Sequence, residues 1–218
     1  SGKTLNYFNQ MLIGGFDIQP IMLYLPDTPY WANRWRDGKQ HFIESGITNL
    51  IEVAGVYGEG FGIDGTHEYN LDNPNGHHKI GVGYTAGFLS MYVMYNVANV
   101  LPNSHFMFLE DDTRFNNGWL PKLHSELCNI PDDFDFCFIG SCCTSGKPRQ
   151  HIAGDVYKFS APNYPMGGNC YIVAKKALPH IIATQRDAYA PSDINLCLHS
   201  FPQMQVYAIL PRLCEQKN

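Results

Sequence analysis

The chain has 218 residues, of which 44% are hydrophobic and 16% charged, and this composition is that of a folded globular protein and excludes a disordered one. Its formal net charge of -5 argues against a surface built for non-specific binding of nucleic acid, which needs a basic face. We predict one domain, spanning residues 1–218, because this length suits a single hydrophobic core.

The seven cysteines are odd in number and lack CxxC spacing, which favours reduced, buried thiols in a reducing compartment. The sequence has no apolar run of the roughly 20 residues that span a bilayer. It starts at Ser1 without an initiating Met, as expected of a processed terminus. We therefore expect a soluble protein of a bacterial, viral or host cytoplasm.

The first predicted elements form a βαβ unit. Residues 18–26 are predicted as a strand, residues 30–44 as a helix that ends before Gly46, and residues 49–56 as a second strand. A βαβ unit is typical of a parallel sheet in an α/β protein.

A glycine-rich segment, residues 58–76, follows and contains a GxGxxG pattern at 60–65. The pattern does not open a helix, so a mobile loop is favoured over a dinucleotide site. Residues 79–100 are predicted as a buried helix, apolar nearly all round. Its glycine-rich start, which includes Gly83, would let a ligand approach the backbone closely.

An apolar run, residues 106–109, ends abruptly in Glu110, Asp111 and Asp112. Four such residues are too few for a helix and fit a strand buried on both faces of a parallel sheet. The acids then lie at the carboxyl end of that strand, where open α/β sheets bind ligands. Adjacent carboxylates repel each other unless a cation or hydrogen-bond donors compensate them.

The second half alternates in the same way. Helices are predicted at residues 119–127, at 175–184 and from a cap at Ser192 or Asp193 to His199, and strands at 135–140, 167–173 and 205–210. Residues 141–160 are either a surface loop or a basic pocket wall.

The ordered set of segments 109–112, 168–177, 191–193 and 207–211, with Gln216 after them, resembles glycosyltransferase family 25, which includes lipopolysaccharide-type and collagen-type sugar transferases. The resemblance covers roughly residues 18–216 and implies a GT-A type, Rossmann-like fold: α/β, with a mostly parallel sheet and flanking helices. It also implies a UDP-sugar donor, Mn²⁺ or Mg²⁺, and inversion at the anomeric carbon. The sequence departs from the family at Ala86-Gly87, where a Ser-His pair is usual.

Divalent metals held by carboxylates stabilise a departing diphosphate, so the acidic triplet fits this chemistry. In an extended strand Glu110 and Asp112 would point to one side and Asp111 to the other. The resemblance implies Asp112 as a direct metal ligand, with Glu110 or Asp111 reaching metal or ribose. His199 is the candidate for a third ligand, the alternative being a structural histidine.

A base must take the proton of the acceptor hydroxyl, and Asp193 is the first candidate, with helix capping as its alternative role. Asp111 is the second catalytic candidate. Donor-binding candidates lie at predicted strand ends, glycine turns and the acidic triplet: Tyr24, Arg34, Val53, Ala54, Tyr57, Gly83, Glu110 and Gly168.

The acceptor is expected to be a glycan, a protein or a hydroxylated base in DNA. Two other functions remain open from the sequence. One is a non-catalytic module that binds nucleotide sugars or glycans, and the other is a metal-dependent hydrolase that uses the same acids.

Overall fold

The computed structural model describes residues 12–25, 28–56, 68–69, 78–79, 82–140, 150–186 and 191–217. The strands in this part of the chain are β1 (Leu12–Ile13), β2 (Phe16–Tyr24), β3 (Ile51–Ala54), β4 (Glu68–Tyr69), β5 (His78–Lys79), β6 (His105–Glu110), β7 (Thr113–Phe115), β8 (Phe136–Gly140), β9 (Gln150–Ala153), β10 (Val156–Phe159), β11 (Cys170–Ala174), β12 (Val206–Ile209) and β13 (Cys214–Gln216). The helices are α1 (Pro29–Glu44), α2 (Val82–Val100), α3 (Trp119–Leu127), α4 (Leu178–Thr184) and α5 (Ser192–Asn195). A π-helical turn, Leu196–Ser200, continues α5.

Nine of the described strands form one sheet in the order β1-β2-β6-β11-β8-β12-β10-β9, with β3 also paired to β2. Strands β2, β3, β6, β8, β9 and β12 run in one direction, and β1, β10 and β11 run in the other. Six of these nine strands therefore run in the same direction, and in this sense the sheet is mostly parallel. Several pairs of neighbouring strands are nevertheless antiparallel. The predicted α/β fold class is confirmed.

The register brings several chain segments to one edge of the sheet. Strand β6 runs parallel to β2, so its end at Glu110 lies beside Leu23. Strand β11 runs antiparallel to β6, with Cys170 paired to Leu109, so the residues that precede β11 reach the same edge. There the Glu110 N–H donates to the carbonyl of Asn169 at 3.1 Å.

Helices cover both faces of this sheet. Buried residues of α1 and α3, among them Phe42, Leu123 and Leu127, pack on one face. The other face packs against α2, α4 and the turn after α5, through residues such as Met94, Ile181 and Leu196. None of the helices among the described residues has the length and apolarity needed to cross a membrane.

The helix ends follow local sequence signals. Thr28 caps α1 by accepting the Trp31 N–H at 3.3 Å, and Pro29 occupies the first turn, where its missing N–H is harmless. Gly46 follows the helix with φ +96°, a left-handed conformation that favours glycine.

Three regions differ from the predicted elements. Within 141–160 the structure has the antiparallel pair β9-β10, which joins the sheet next to β12, while residues 141–149 lie outside the described part. The helix predicted from Lys79 begins at Val82 because His78–Lys79 pairs with Glu68–Tyr69. Most of the glycine-rich segment 58–76 lies outside the described residues.

Candidate functional site

The three acids occupy a turn, and the predicted strand alternation ends before it. Strand β6 stops at Glu110, and Asp111 and Asp112 form the turn into β7. The Arg34 guanidinium donates from Nε to Asp111 Oδ1 at 2.6 Å and pairs through Nη2 with Asp112 Oδ2 at 2.8 Å. The prediction that Asp111 points away from Asp112 is therefore wrong, because a turn replaces the extended backbone on which it depended.

Arg34 pairs with two of the three carboxylates, and the nearby Arg114, which also lowers the pKa of both aspartates, pairs with Asp37. Asp111 and Asp112 are only 4% and 6% exposed, and Asp112 Oδ1 has no hydrogen-bond partner among the described residues. Burial raises the pKa of both aspartates, although Arg34 opposes this. Burial, reinforced by the charge of Asp112, raises the pKa of Glu110 to about 7. The turn therefore carries excess negative charge that a cation would stabilise.

The C-terminal strand β13 closes over this turn. It pairs antiparallel with β7, placing Gln216 opposite Thr113, and the Lys217 N–H donates to the Asp112 carbonyl at 2.9 Å. The Gln216 side-chain amide donates to Glu110 Oε2 at 2.8 Å. Gln216 and Lys217 are thus residues from late in the chain that contact the acids, Gln216 through its side chain.

His199 lies on the exposed part of the π-helical turn and is not among the residues that line the two cavities described below. The structure does not bring it together with Glu110 and Asp112. Within the described residues, no group of three or more His, Cys, Asp or Glu side chains is arranged to hold a metal ion.

The first cavity, of about 270 Å³, opens beside the acidic turn. Its polar lining residues are Glu110, Ser192, Asp193 and Gln216, and its apolar lining residues are Leu23, Phe88, Met91, Tyr171, Pro191 and Leu196. Gly87, Gly167 and Gly168 also line it. A Cβ atom on Gly168 would lie 2.9 Å from the Tyr171 ring, so a side chain there would displace that ring.

Asp193 lies in the first turn of α5 and does not cap it, so its predicted alternative role as a helix cap is wrong. Its Oδ2 accepts the Gly167 N–H at 2.9 Å, and its Oδ1 accepts the Ile194 N–H at 2.9 Å. Pro191, not Asp193, occupies the cap position of α5. The carboxylate is therefore fixed by backbone donors while it lines the first cavity.

The second cavity, of about 290 Å³, is lined by Tyr30, Asn33, Arg34, Asp37, Asp112, Arg114 and Lys217. Its other ion pairs join Asp37 to Arg114 and, at 2.9 Å, to Lys217. Since Glu110 lines the first cavity and Asp112 the second, the acidic turn lies between them. Asp111 lines neither of these cavities and is held by Arg34.

The predicted nucleoside-binding residues are spread over both faces of the sheet. Tyr24 stacks on Trp35 with ring centroids 4.9 Å apart, on the α1 side. Val53 is buried on the α2 side, and Ala54 is exposed at the end of β3. Gly83 lies in the first turn of α2, and Tyr57 lies outside the described residues.

Sequence reasoning missed most of the cavity wall. Leu23, Met91 and Tyr171 read as ordinary core residues, since an apolar residue that lines a cavity has the same pattern as one that packs the core. In the sequence, Gln216 is indicated only by the family resemblance. Nothing in the sequence indicates its pairing with Glu110, because that contact depends on the long-range pair β7-β13.

The residues at the turn fit a hard divalent cation. Mg²⁺ is usually held by one or two carboxylates and completed by substrate phosphates and water, so a cluster of three protein acids is not required. Glu110 and Asp112, whose Oδ1 has no hydrogen-bond partner within the described part of the chain, are carboxylates of this kind, although they line different cavities. Gln216, whose side chain also has an amide oxygen, lines the first cavity together with Glu110.

No protein-family model matches the sequence, and no curated protein is detectably similar to it. Among solved structures, a glycosyltransferase involved in the glycosylation of the major capsid of PBCV-1 aligns with a TM-score of 0.52 at 11% identity, over 91% of this chain and 92% of that one. An inositol-1-phosphate CTP transferase from T. maritima aligns at 0.47 and 12% identity, over 91% and 88% of the two chains. The protein A197 from STIV aligns at 0.44 and 8% identity, over 90% and 82%.

The first alignment shows that the chain shares the fold of a glycosyltransferase, as expected for the GT-A type. At 11% identity it shows the fold alone. Membership of glycosyltransferase family 25 stays a prediction.

Proposed function

We propose that the chain is a glycosyltransferase that moves a sugar from a UDP-sugar donor to an acceptor hydroxyl. The observation that carries this proposal is the composition of the first cavity, which is lined by both Glu110 and Asp193 next to a turn with uncompensated negative charge. The location agrees with it, because α/β sheets bind ligands at the carboxyl ends of their strands.

The diphosphate of the donor would bind at the acidic turn. Mn²⁺ or Mg²⁺, when bound there, supplies positive charge that stabilises the departing UDP. Asp112 through Oδ1, together with Glu110, would hold the ion, and Gln216 orients Glu110 through its hydrogen bond. Arg34 keeps the two aspartates in place by pairing with both of them.

Asp193 is the proposed general base. It would accept the proton of the acceptor hydroxyl while the oxygen attacks the anomeric carbon, which inverts the configuration there. The backbone N–H groups of Gly167 and Ile194 fix this carboxylate in place. Fixed orientation lowers the entropic part of the barrier.

The nucleoside would bind at the ends of β2 and β3 on the α1 side, where the paired residues Tyr24 and Ala54 lie. The acceptor would be a glycan or a protein. A hydroxylated base in DNA is the alternative acceptor, and the net charge of -5 argues against it.

A thermal-shift screen tests the donor and metal together. UDP-sugars should raise the melting temperature more with Mn²⁺ than without it, because a ligand that binds only the folded state stabilises it by mass action. Asp112→Asn should remove the Mn²⁺-dependent part of this shift. Asp132→Asn, the same change at an exposed site before β8, should leave it intact. An unchanged shift in Asp112→Asn would show that the metal does not bind there.

A UDP-release assay with a panel of acceptors then tests catalysis. Release that depends on a glycan, a protein or hydroxylated DNA identifies the acceptor class. Donor binding without release from any member of the panel would identify a binding module instead. A release rate that no acceptor changes would identify a hydrolase.

A further inference from the structure

Two cations of the second cavity converge on a single carboxylate oxygen. Arg114, through Nη2, and Lys217, through Nζ at 2.9 Å, both pair with Asp37 Oδ2. Arg34, which also lines this cavity, pairs instead with the aspartates of the acidic turn. Among the ion pairs of the described residues, two positive charges therefore share one carboxylate, and one positive charge is left in excess.

Both cations are held by the backbone of the acidic turn. Arg114 Nη1 donates to the carbonyls of Asp111 at 3.2 Å and of Thr113 at 2.8 Å, and the arginine side chain is only 18% exposed. The backbone N–H of Lys217 donates to the Asp112 carbonyl at 2.9 Å. These contacts do not involve the shared carboxylate, so the guanidinium keeps its position without it.

The Asp37 carboxylate is a replaceable occupant of the space between these cations. Its side chain is 56% exposed, and that of Lys217 is 57% exposed. Exposed ion pairs contribute little to stability, because water competes for both charges. Rotation of the Asp37 side chain into water would therefore cost little, and it would leave two cations that line the second cavity without their carboxylate.

We propose that the second cavity binds a phosphate group, which replaces the Asp37 carboxylate between Arg114 and Lys217. A phosphate carries more negative charge than a carboxylate and has more oxygens, so the arginine and the lysine can donate to different oxygens of it. The cavity volume of about 290 Å³ has room for such a group. In the absence of a ligand, Asp37 occupies the site and competes for it.

This site goes beyond the proposed transferase function, because a phosphate can bind there without any donor. Two sources would supply the same chemistry: the diphosphate of the donor and a phosphate group of a separate ligand such as the acceptor. The experiment below uses inorganic phosphate as its probe and then distinguishes the two sources.

Calorimetric titration of the metal-free protein with inorganic phosphate, at pH 8 and constant ionic strength, tests the site. Asp37→Asn should bind phosphate about 5- to 25-fold more tightly than the wild type, because displacing the wild-type carboxylate breaks two exposed ion pairs, each worth up to about 5-fold. Glu44→Gln, the same change of charge at the exposed last residue of α1, should bind like the wild type.

A second substitution tests the cation. Adding Lys217→Gln to Asp37→Asn should remove the gain in phosphate affinity, because the phosphate then loses one of its two partners. Lys217→Gln alone, a change at an exposed side chain, should bind phosphate more weakly than the wild type. This comparison decides the matter even if Asp37→Asn does not fold.

Equal phosphate affinity in the wild type, Asp37→Asn and Lys217→Gln would overturn the proposal, and the ion pairs of Asp37 would then only link α1 to the C-terminal segment. Equal gains in Asp37→Asn and Glu44→Gln would also overturn it, since they would show an effect of net charge alone.

A titration with phosphate in the presence of saturating UDP and Mn²⁺, once UDP binding itself has been measured, identifies the source. Exclusion of phosphate by UDP supports the site and assigns it to the donor diphosphate. Unchanged phosphate binding supports the site and assigns it to a separate ligand. If no UDP-sugar binds or is cleaved, the transferase function fails, while the titrations without UDP still decide whether the phosphate site exists.

Discussion

Gln216 donates a hydrogen bond of 2.8 Å to Glu110 although 106 residues separate them in the chain. The contact ties the C-terminal strand to the end of β6 and orients a carboxylate that lines the first cavity. Since hydrogen bonds to charged groups are about twice as strong as neutral ones, it fixes the position of Glu110.

Gln216→Ala should therefore reduce the rate of UDP release. Removing a residue that orients a metal-binding carboxylate typically costs about 10- to 100-fold in activity, so kcat/KM should fall by about this factor. Glu215→Ala, the neighbouring exposed change in β13, should have little effect. If both variants lose activity equally, strand β13 as a whole supports activity and the hydrogen bond of the Gln216 amide makes no specific contribution.

Glu110→Gln should stabilise the metal-free protein at alkaline pH. Burial raises the folded-state pKa of Glu110 to about 7, from its ordinary value of 4.5. Between these values the folded state holds a proton that the unfolded state has lost, so the contribution of Glu110 to stability falls as pH rises through this window. Glutamine cannot ionise, so the Glu110→Gln variant should be more stable than the wild type at pH 8 by about 1–3 kcal/mol.

Urea denaturation of both proteins at pH 4.5 and pH 8, with a metal chelator present, measures this difference. The gain in stability at pH 8 should be accompanied by loss of transferase activity, because active-site residues often destabilise the fold that they serve. A gain of the same size at both pH values would contradict the titration of Glu110.

Arg34→Ala should destabilise the protein and make it depend on a divalent cation. Removing the guanidinium leaves Asp111 and Asp112 buried without their cation, which costs about 3 kcal/mol or more. Mn²⁺ should restore part of that stability, since it can replace the lost positive charge. Thermal melts with and without Mn²⁺ measure both effects.

Arg36→Ala is the matched control, because Arg36 lies on the same helix and its side chain contacts only residues of that helix among the hydrogen bonds described. It should melt close to the wild type, with no added response to Mn²⁺. A Mn²⁺ response in Arg34→Ala no larger than in the wild type would show that the acids do not bind the ion.

The regular elements near the site could be predicted because each has a strong local signal. The helix residues 119–127 and the strand that ends at Glu110 follow from hydrophobic periodicity and buried apolar runs. Strand β7 and strand β13 could not be predicted, since each has three residues, too few to show a period, and both depend on pairing across the chain.

The side-chain arrangement at the acids was only partly predictable. That three carboxylates need compensation follows from their charge alone. The sequence does not show that Arg34 compensates two of these carboxylates. The position of α1 over the turn is set by packing of the whole sheet face. Gly38 shows how close this approach is: a Cβ atom there would lie 2.1 Å from the Asp111 carbonyl oxygen.

His105, at the opposite end of β6 from the acids, should make stability depend on pH. Its ring stacks on Phe134 at 5.1 Å and meets Phe16 edge-on at 4.7 Å. Burial, with a smaller effect of Lys176, lowers its pKa from 6.5 to about 4. Between these values the unfolded state binds a proton that the folded state does not, so stability is full above pH 6.5 and falls as pH decreases toward 4.

His105→Phe should remove this component, because phenylalanine keeps the aromatic packing and does not titrate. As pH is lowered from 7 to 5, the free energy of unfolding of the variant should rise relative to that of the wild type. The rise should be at most about 1.4 kcal/mol per pH unit, and less where water reaches the ring. Urea denaturation at pH 7, 6 and 5 measures the change. His124→Phe, at an exposed position of α3, should follow the wild type across this range. Parallel pH profiles for wild type and His105→Phe would show that His105 does not titrate in this window.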